Sequence, residues 1–192
     1  MPNLYIIAGC NGAGKTTASY TILPEILHCR EFVNADSIAA GLSPFNPESV
    51  ALEAGRIMLQ RIHQLMEEKA DFAFETTLAT RSYVSLVKRA QEAGYKVRLV
   101  YFWLDDPKLA IKRVAERVSE GGHNIPIEVI KRRYYRGIYN LLNLYIDICN
   151  NWMVFNNATY PEMIAKGGIG VDAVIKKADI WEIILQQSKQ SD

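Results

Sequence analysis

The sequence predicts one α/β domain in which a parallel β-sheet lies between two layers of helices. Apolar runs alternate with amphipathic stretches along the 192 residues, which is the pattern of strands connected by helices. A glycine-rich octet at residues 9–16 stands between the first apolar run and the first helical stretch. We expect residues 1–192 to form this single domain, with a small helical lid at about residues 113–136.

The octet reads Gly-Cys-Asn-Gly-Ala-Gly-Lys-Thr and fits G-x-x-x-x-G-K-S/T, the phosphate-binding loop of nucleoside-triphosphate enzymes. Glycines allow backbone N–H groups to turn toward phosphate oxygens, and the following helix adds partial positive charge at its N-terminus. Lys15 can reach the β and γ phosphates, and the Thr16 hydroxyl can ligate Mg²⁺. The sequence therefore predicts the P-loop NTPase fold, with ATP or GTP and Mg²⁺ as ligands. The predicted nucleotide-binding residues are Gly9, Asn11, Gly12, Ala13, Gly14, Lys15, Thr16 and Thr17.

The elements in the first half of the chain follow from short apolar runs and from helical periodicity. Strands are predicted at residues 4–8, 31–34 and 72–74. Helices are predicted at residues 16–23, 47–69 and 82–93. Pro24 and Gly94 are expected to end the first and the third of these helices.

The second half of the chain begins with the most apolar predicted strand, at residues 97–104. Asp106-Pro107 then has the pattern of a helix start, and that helix runs to about residue 119. The remaining elements are a loop at 121–126, a long helix at 127–150, a strand at 152–156, a turn at Gly167-Gly168 and a helix at 178–187.

Charge and cysteine content argue against several classes of partner. The formal net charge is +1, which argues against nucleic acid as a partner. The cysteines at positions 10, 29 and 149 lack metal-ligand spacing, and Cys10 is interpreted as a small loop residue rather than a redox group. The sequence contains no signal-peptide pattern and no apolar run long enough for a membrane span, so we expect a soluble, cytoplasmic protein.

A phosphate-binding loop indicates that a nucleotide binds, and leaves a kinase, a GTPase-like switch and a motor ATPase as alternatives. The guanine-specific Asn-Lys-x-Asp and the transporter motif Leu-Ser-Gly-Gly-Gln are both absent from the sequence. A small-molecule kinase needs a carboxylate near the acceptor hydroxyl and arginines around the transferred phosphoryl group. The sequence contains candidates for both.

The candidate carboxylates follow predicted strands, at the edge of an open α/β sheet where ligands bind. Asp36 can accept the proton of an acceptor hydroxyl, or it can be the N-cap of a helix that starts at Ser37. Glu75 can hold the water shell of Mg²⁺ or a substrate hydroxyl, or it can be a solvated strand end. Asp105 resembles a metal-binding aspartate, but the sequence Asp105-Asp106-Pro107 favours a helix start.

Basic residues cluster on both sides of the glycine-rich loop at 121–126. The flexibility of Gly121-Gly122 predicts a lid that closes arginines over the triphosphate and excludes water. The alternative is a solvated basic face, and His123 in the loop is expected to be structural or solvent-facing. The basic residues concerned are Arg113, Arg117, Lys131, Arg132, Arg133 and Arg136.

Taken together, these residues resemble the zeta-toxin family of P-loop kinases, in particular its short members described as predicted ATPases. The resemblance extends from residue 4 to about residue 158. The lid segments are its most specific part, and the short members often read Asp-Asn-Ser where this chain has Asn156-Asn157-Ala158. The segments that carry the resemblance are residues 8–17, 34–39, 74–78, 113–118, 121–126 and 132–134.

The resemblance implies a kinase that uses ATP or GTP to phosphorylate the 3′-hydroxyl of the sugar in UDP-N-acetylglucosamine, and it implies an antitoxin protein as a partner. The roles that it implies are a catalytic base at Asp36, phosphate and Mg²⁺ ligands at Lys15 and Thr16, substrate contacts at Glu75 and Thr77, and lid arginines at Arg117 and at Arg132 or Arg133. Two other functions stay open. A polynucleotide 5′-hydroxyl kinase is expected to carry an electropositive groove, and a nucleotide-dependent regulatory protein would not need Asp36 near the γ-phosphate.

Overall fold

A single sheet runs through the part of the chain that the computed structural model describes, residues 1–122 and 124–190. Its strands are β1 (Asn3–Gly9), β2 (Glu31–Val33), β3 (Phe72–Thr76), β4 (Lys96–Trp103), β5 (Asn151–Asn156), β6 (Glu162–Gly168) and β7 (Val171–Ile175). They lie in the order β2-β3-β1-β4-β5-β6-β7, and the first five in this order are parallel. His123 lies outside the described residues.

Helices flank the sheet, so the predicted α/β class is confirmed. The helices are α1 (Lys15–Thr21), α2 (Ala35–Leu42), α3 (Ala51–Glu67), α4 (Tyr83–Glu92), α5 (Pro107–Ser119), α6 (Ile127–Asn140) and α7 (Ala178–Ser188). Buried apolar side chains from the strands and the inward faces of these helices form one core. Tyr134 and Tyr145 belong to this core, since their exposed fractions are 1% and 0%.

Two predicted helix ends differ from the structure. The first helix does not stop before Pro24, because a π-helical turn at Ile22–Ile26 carries the chain through the proline. In this turn the Leu27 N–H donates to Ile22 O at 3.0 Å, which is the five-residue spacing of a π-helix. The long helix predicted at 127–150 ends as an α-helix at Asn140 and continues as a π-helical turn at Leu141–Tyr145.

The predicted turn at Gly167-Gly168 is wrong. These glycines end β6, and the turn lies at residues 169–170, after which β7 pairs antiparallel with β6. Both glycines are needed for close approach, because an added Cβ would lie 2.6 Å from the Trp152 ring at Gly167 and 2.1 Å from Asn150 O at Gly168. The hairpin has no clear sequence pattern, since every residue of β7 is exposed.

The order of the central strands determines where the site lies. Because β2, β3 and β1 are adjacent and parallel, their carboxyl ends meet at one edge of the sheet. Asn34 follows β2, Glu75 lies near the end of β3 opposite Ile7 of β1, and the glycine-rich loop follows β1. Residues that are distant in the sequence are thereby brought to the same edge.

Candidate active site

The glycine-rich loop lies between β1 and α1 and is packed tightly from both sides. Gly12 and Gly14 have φ values of 77° and 81°, in the left-handed region that favours glycine. A Cβ at Gly12 would lie 2.8 Å from Ala110 O, and one at Gly14 would lie 2.6 Å from Asn157 Nδ2. Gly14 is also the N-cap of α1, so the first N–H groups of that helix have no capping side chain to accept them and are available to an anion.

Lys15 folds back over this loop. Its Nζ donates to Cys10 O at 2.9 Å and lies 3.5 Å from a carboxylate oxygen of Glu75, while only 6% of the side chain is exposed. The ammonium group is therefore held beside the loop by one carbonyl and one carboxylate, rather than extended into solvent. This is the position from which a P-loop lysine can exchange its contacts for phosphate oxygens.

Glu75 is a largely buried carboxylate that contacts three other side chains at this edge of the sheet. It accepts hydrogen bonds from Thr16 Oγ1 at 2.7 Å and from Asn34 Nδ2 at 2.9 Å, in addition to its ion pair with Lys15. The exposed fraction of its side chain is 10%. The alternative of a solvated strand end is therefore wrong for Glu75.

Asp36 lies in the first turn of α2, and it does not cap that helix. The N-cap is Asn34, whose Oδ1 accepts hydrogen bonds from the N–H groups of Asp36 at 2.8 Å and of Ser37 at 3.2 Å. The alternative of Asp36 as N-cap is therefore wrong. The Asp36 side chain is exposed and faces two adjoining cavities.

The larger of these cavities, of about 740 Å³, extends along the glycine-rich loop, α1 and residues 157–161; we name it the P-loop cavity. The smaller, of about 370 Å³, lies between the end of β3, Met58, Tyr83 and α6; we name it the α6 cavity. A common wall separates them. The residues that line both cavities are Asn11, Lys15, Asn34, Asp36 and Glu75.

The predicted lid arginines divide between the two cavities. Arg117 is exposed and lines the P-loop cavity, whereas Arg132 and Arg133 line the α6 cavity. Arg133 Nη1 donates to Asn11 Oδ1 at 3.2 Å. Burial lowers the pKa of Arg133, and the nearby negative charge of Asp36 partly opposes that effect. Arg133 is thus placed next to the loop, on the side of Asp36.

Arg113 has a different position from the other arginines. Its guanidinium donates to Gly12 O at 3.3 Å, to Asn157 O at 3.1 Å and to Ala158 O at 2.7 Å. Asn157 in turn donates from Nδ2 to Ala13 O at 2.7 Å. These bonds connect the glycine-rich loop to the segment after β5, so Arg113 stabilises the conformation of the loop.

The glycines after α5 form a defined helix end. The N–H of Gly122 donates to Arg117 O at 2.8 Å, and that of Gly121 donates to Val118 O at 3.0 Å. This pair of bonds, with Gly121 at a φ of 90°, is a Schellman motif. Gly122 packs directly against the backbone and side chain of Arg117, so the cap fixes the backbone from which Arg117 projects.

The other predicted site residues lie in or beneath the same walls. Thr16 and Thr17 line the P-loop cavity, and Thr77 lines the α6 cavity. Gly9 and Ala13 are buried beneath the loop, where a Cβ at Gly9 would lie 2.3 Å from Phe102 O. Cys10 is buried too, and burial raises the pKa of its thiol to about 11, in agreement with a small loop residue rather than a reactive thiol.

Sequence reasoning missed several residues of the site. Asn34 was visible only as the start of Asn-Ala-Asp, although an asparagine directly before a helical stretch is a common N-cap pattern. Arg136 was one of the basic residues predicted to belong to a lid or to a solvated face, and it lines the α6 cavity. Met58 was not among the candidate site residues, and it is 2% exposed and borders the α6 cavity.

The oxygen donors beside the loop suit Mg²⁺. This ion prefers hard oxygen ligands, retains several waters and is commonly bound by one or two protein oxygens together with substrate phosphates. Thr16 Oγ1 and Glu75 Oε2 lie 2.7 Å apart at the loop. Among residues 1–122 and 124–190, no three His, Cys, Asp or Glu side chains cluster closely enough to hold a metal by themselves. The residues present therefore fit an ion that is shared with a phosphate group.

The fold and the site together define a protein of the P-loop kinase class, with a phosphate-binding loop between β1 and α1 and carboxylates after β2 and near the end of β3. The model of the Zeta toxin family matches residues 1–143. The chain belongs to this family, as its sequence motifs indicate.

The chain is also similar in sequence to a curated protein and in fold to several solved structures. An uncharacterized protein of Haemophilus influenzae (strain ATCC 51907 / DSM 11121 / KW20 / Rd) is 30% identical over 126 residues, which cover 66% of this chain and 88% of the relative. The PezAT chromosomal toxin-antitoxin system of Streptococcus pneumoniae has a TM-score of 0.70 at 16% identity, and the match covers 100% of this chain and 86% of that chain.

The AvrRxo1-ORF1:AvrRxo1-ORF2 complex also has this fold. Its structures with sulphate ions and with ATP match with TM-scores of 0.79 and 0.77, each at 20% identity over 96% of this chain. This chain spans 63% of the length of the matched chain in each of them, which is less than two thirds. Across residues 1–122 and 124–190, no helix has the length and apolar character that a bilayer crossing requires.

Proposed function

We propose that the protein transfers the γ-phosphoryl group of ATP or GTP to a hydroxyl group of a small metabolite. The observation that carries this proposal is the position of Asp36, an exposed carboxylate on the common wall of the P-loop and α6 cavities. A carboxylate between a phosphate-binding cavity and a second polar cavity is what hydroxyl phosphorylation requires. A regulatory nucleotide switch has no need of the second cavity.

The P-loop cavity is the proposed nucleotide site. The N–H groups of the loop and of the first turn of α1 would face the phosphates, and Lys15 would turn from Cys10 O toward the γ-phosphate. Thr16 and Glu75 would hold Mg²⁺, which supplies neutralisation of the phosphate charge when it is bound. Arg113 keeps the loop in shape throughout, through its carbonyl contacts.

The α6 cavity is the proposed acceptor site. Asp36 would accept the proton of the acceptor hydroxyl as that oxygen attacks the γ-phosphorus, and the bond from the phosphorus to the β–γ bridging oxygen would break. Thr77 and Glu75 line the same cavity and would orient the acceptor. Because Asn34 already caps α2, Asp36 is left available for this role.

The arginines are proposed to stabilise the charge that spreads over the transferred phosphoryl group. Arg133 contacts Asn11 on the common wall, and Arg117 lines the P-loop cavity. A lid at about residues 113–136 would bring both toward the γ-phosphate and exclude water. Arg132 is exposed at the rim of the α6 cavity and would contact the acceptor or the phosphates on closure.

UDP-N-acetylglucosamine is the first acceptor candidate, on the basis of family membership. The α6 cavity supports an acceptor that carries phosphate, because Arg132, Arg133 and Arg136 all line it. An antitoxin protein is the proposed partner, since the PezAT neighbour is a toxin-antitoxin system.

A metabolite screen tests this function directly. The protein is incubated with Mg²⁺, γ-¹⁸O-labelled ATP and a small-molecule cell extract, and labelled phosphorylated products are identified by mass spectrometry. We expect a phosphorylated metabolite with wild type and none with Lys15→Ala. Separate incubations with UDP-N-acetylglucosamine and with 5′-hydroxyl oligonucleotides identify the acceptor class. Labelled oligonucleotide with no labelled metabolite would overturn the proposal in favour of a polynucleotide kinase.

A further inference from the structure

The loop between β3 and α4, residues 77–82, has an unusual conformation where it borders the α6 cavity. Thr77 and Thr80 line the cavity, whereas Leu78 between them is fully buried. Leu78 has a φ of 59°, in the left-handed region that side chains rarely adopt. Its N–H donates to Thr76 Oγ1 at 3.0 Å. A leucine in this conformation persists only where the surrounding structure holds it.

The structure that holds this loop is α6 with the π-helical turn after it. Asn140 Nδ2 donates to Leu78 O at 2.8 Å, and Tyr145 OH donates to Thr80 O at 3.0 Å. Gly137 lies so close that an added Cβ would be 2.7 Å from Thr77 O. We name these three contacts, from Gly137, Asn140 and Tyr145, the α6 strap.

The strap contacts the backbone of the loop at residues 77–82. The threonine side chains of the loop line the α6 cavity. All three contacts are made to carbonyl oxygens, those of Thr77, Leu78 and Thr80. Asn140 and Tyr145 are 4% and 0% exposed, so both donor side chains lie in the protein interior. The strap does not use the hydroxyls of Thr77 and Thr80, and Thr80 Oγ1 is itself fixed by Ser82, whose N–H donates to it at 3.2 Å and whose Oγ lies 2.9 Å away.

We propose that Gly137, Asn140 and Tyr145 are positioning residues that fix Thr77 and Thr80 in the orientation that binds the acceptor. This inference rests on the proposed function, because it takes the α6 cavity as the acceptor site. The same helix carries Arg132, Arg133 and Arg136 on the cavity wall. The strap therefore holds the backbone of Thr77 and Thr80 against the end of α6, so that this side of the acceptor site is formed before the acceptor binds.

Two buried tyrosines allow an experiment to distinguish a positioning role from ordinary core packing. Tyr134 lies on α6, whereas Tyr145 lies in the π-helical turn that follows it. Tyr134 is 1% exposed and donates to the backbone carbonyl of Leu104 at 2.6 Å, with Gln187 Oε1 as a second acceptor at 3.1 Å. Burial raises the pKa of both Tyr134 and Tyr145, so each hydroxyl keeps its proton as a donor. Tyr145→Phe removes a bond to the loop, whereas Tyr134→Phe removes a similar bond elsewhere.

The first readout is amide hydrogen exchange of residues 77–82 in the nucleotide-free protein. Tyr145→Phe is expected to speed exchange of the amides of this loop by about threefold to tenfold, as the loss of one buried hydrogen bond implies. Tyr134→Phe is expected to leave the exchange of the loop as in wild type. Equal exchange in both variants and in wild type would overturn the strap, whatever the reaction of the protein.

The second readout is steady-state kinetics with the acceptor that the metabolite screen identifies. Tyr145→Phe should raise the KM for the acceptor by about threefold to tenfold and change the KM for ATP less than twofold. Gly137→Ala should act in the same direction through its clash with Thr77 O. Gly55→Ala is its control, since that helical glycine has open space around it and the variant should keep wild-type kinetics.

The two readouts distinguish an error in the positioning role from an error in the proposed function. If wild type phosphorylates an acceptor but Tyr145→Phe and Gly137→Ala match their controls in both KM values, the positioning role is overturned and the kinase remains. If wild type phosphorylates no metabolite, the proposed function fails and the positioning role fails with it. Loop exchange then still shows whether the strap holds residues 77–82.

Discussion

The Thr16 hydroxyl donates a 2.7 Å hydrogen bond to the Glu75 carboxylate, which joins the phosphate-binding loop to the end of β3 across 59 residues of sequence. The same carboxylate pairs with Lys15 at 3.5 Å and accepts from Asn34 at 2.9 Å. Glu75 thus contacts both the lysine and the hydroxyl that the proposed function assigns to the phosphates and to Mg²⁺.

Glu75→Gln tests the role of this carboxylate. The change removes the ion pair with Lys15 and the carboxylate ligand proposed for Mg²⁺. The rate of phosphoryl transfer should therefore fall by about a hundredfold, and its half-maximal value should require more Mg²⁺. The measurement is a Mg²⁺ titration of the transfer rate. The control is Glu31→Gln, which breaks the half-exposed pair between Arg61 and Glu31 at 2.7 Å and should change the rate little. Equal Mg²⁺ dependence of Glu75→Gln and wild type would contradict the metal role.

Lys15→Ala tests the phosphate role of the loop. Phosphoryl transfer should be abolished, because the variant lacks the ammonium group that is proposed to contact the γ-phosphate. Within the described residues, no other cation takes the position of Lys15 beside Cys10 O and Glu75. The fold should persist, since Glu75 keeps its bonds to Thr16 and Asn34. Circular dichroism and nucleotide binding are measured beside activity. A folded variant with wild-type turnover would refute the assignment.

Arg117 and Arg113 should give opposite results. Arg117→Ala is expected to lower kcat by about a hundredfold with little change in thermal stability, because this exposed side chain faces the P-loop cavity. Arg113→Ala should destabilise the protein by about 1–3 kcal/mol, since three carbonyl groups lose their donor. Thermal unfolding and kcat are measured for both variants. If Arg117→Ala keeps the wild-type kcat, Arg117 belongs to a solvated surface.

The buried thiols predict a loss of stability at alkaline pH. Burial raises the pKa of Cys10 and of Cys29 to about 11 and that of Cys149 to about 12, from an ordinary value of 9.0. The folded state therefore holds these protons more tightly than the unfolded state, and this stability is present below pH 9 and is lost as the pH rises toward 11–12. Each thiol contributes a slope of up to about 1.4 kcal/mol per pH unit. Chemical unfolding from pH 8 to 11 measures it, and Cys149→Ala should show a shallower slope.

The central part of the fold could be predicted because its patterns are local. The glycine-rich octet between an apolar run and a helix specifies the loop, and the apolar run before Glu75 indicates the strand β3, which pairs with β1. The hairpin of β6 and β7 could not be predicted in this way. Its glycines serve contacts with Trp152 and Asn150, and such contacts leave no periodic pattern in the sequence.

The types of residue in the site could be predicted from the sequence, whereas their hydrogen-bond partners were harder to predict. Asp36, Glu75 and the arginines were all selected from the sequence, yet the cap of α2 belongs to Asn34 and the carbonyl contacts of Arg113 were unforeseen. The choice among neighbouring arginines depends on which way each projects from its helix, and that is decided by the packing of α5 and α6. The strap from Asn140 and Tyr145 depends on a π-helical turn that a helical pattern does not distinguish from an α-helix.

Phosphoryl transfer by Asp36→Asn is the measurement that tests the account most directly. Asparagine keeps the shape of the side chain and Asn34 remains the cap, so stability should change by only a few tenths of a kcal/mol. ATP binding should persist, and transfer to the acceptor should fall by about two to four orders of magnitude because the proton acceptor is lost. Asp105→Asn, a change at the exposed aspartate after β4, is the matched control and should retain full activity. Wild-type turnover by Asp36→Asn, with the product verified by mass spectrometry, would contradict the proposed role of the carboxylate between the two cavities.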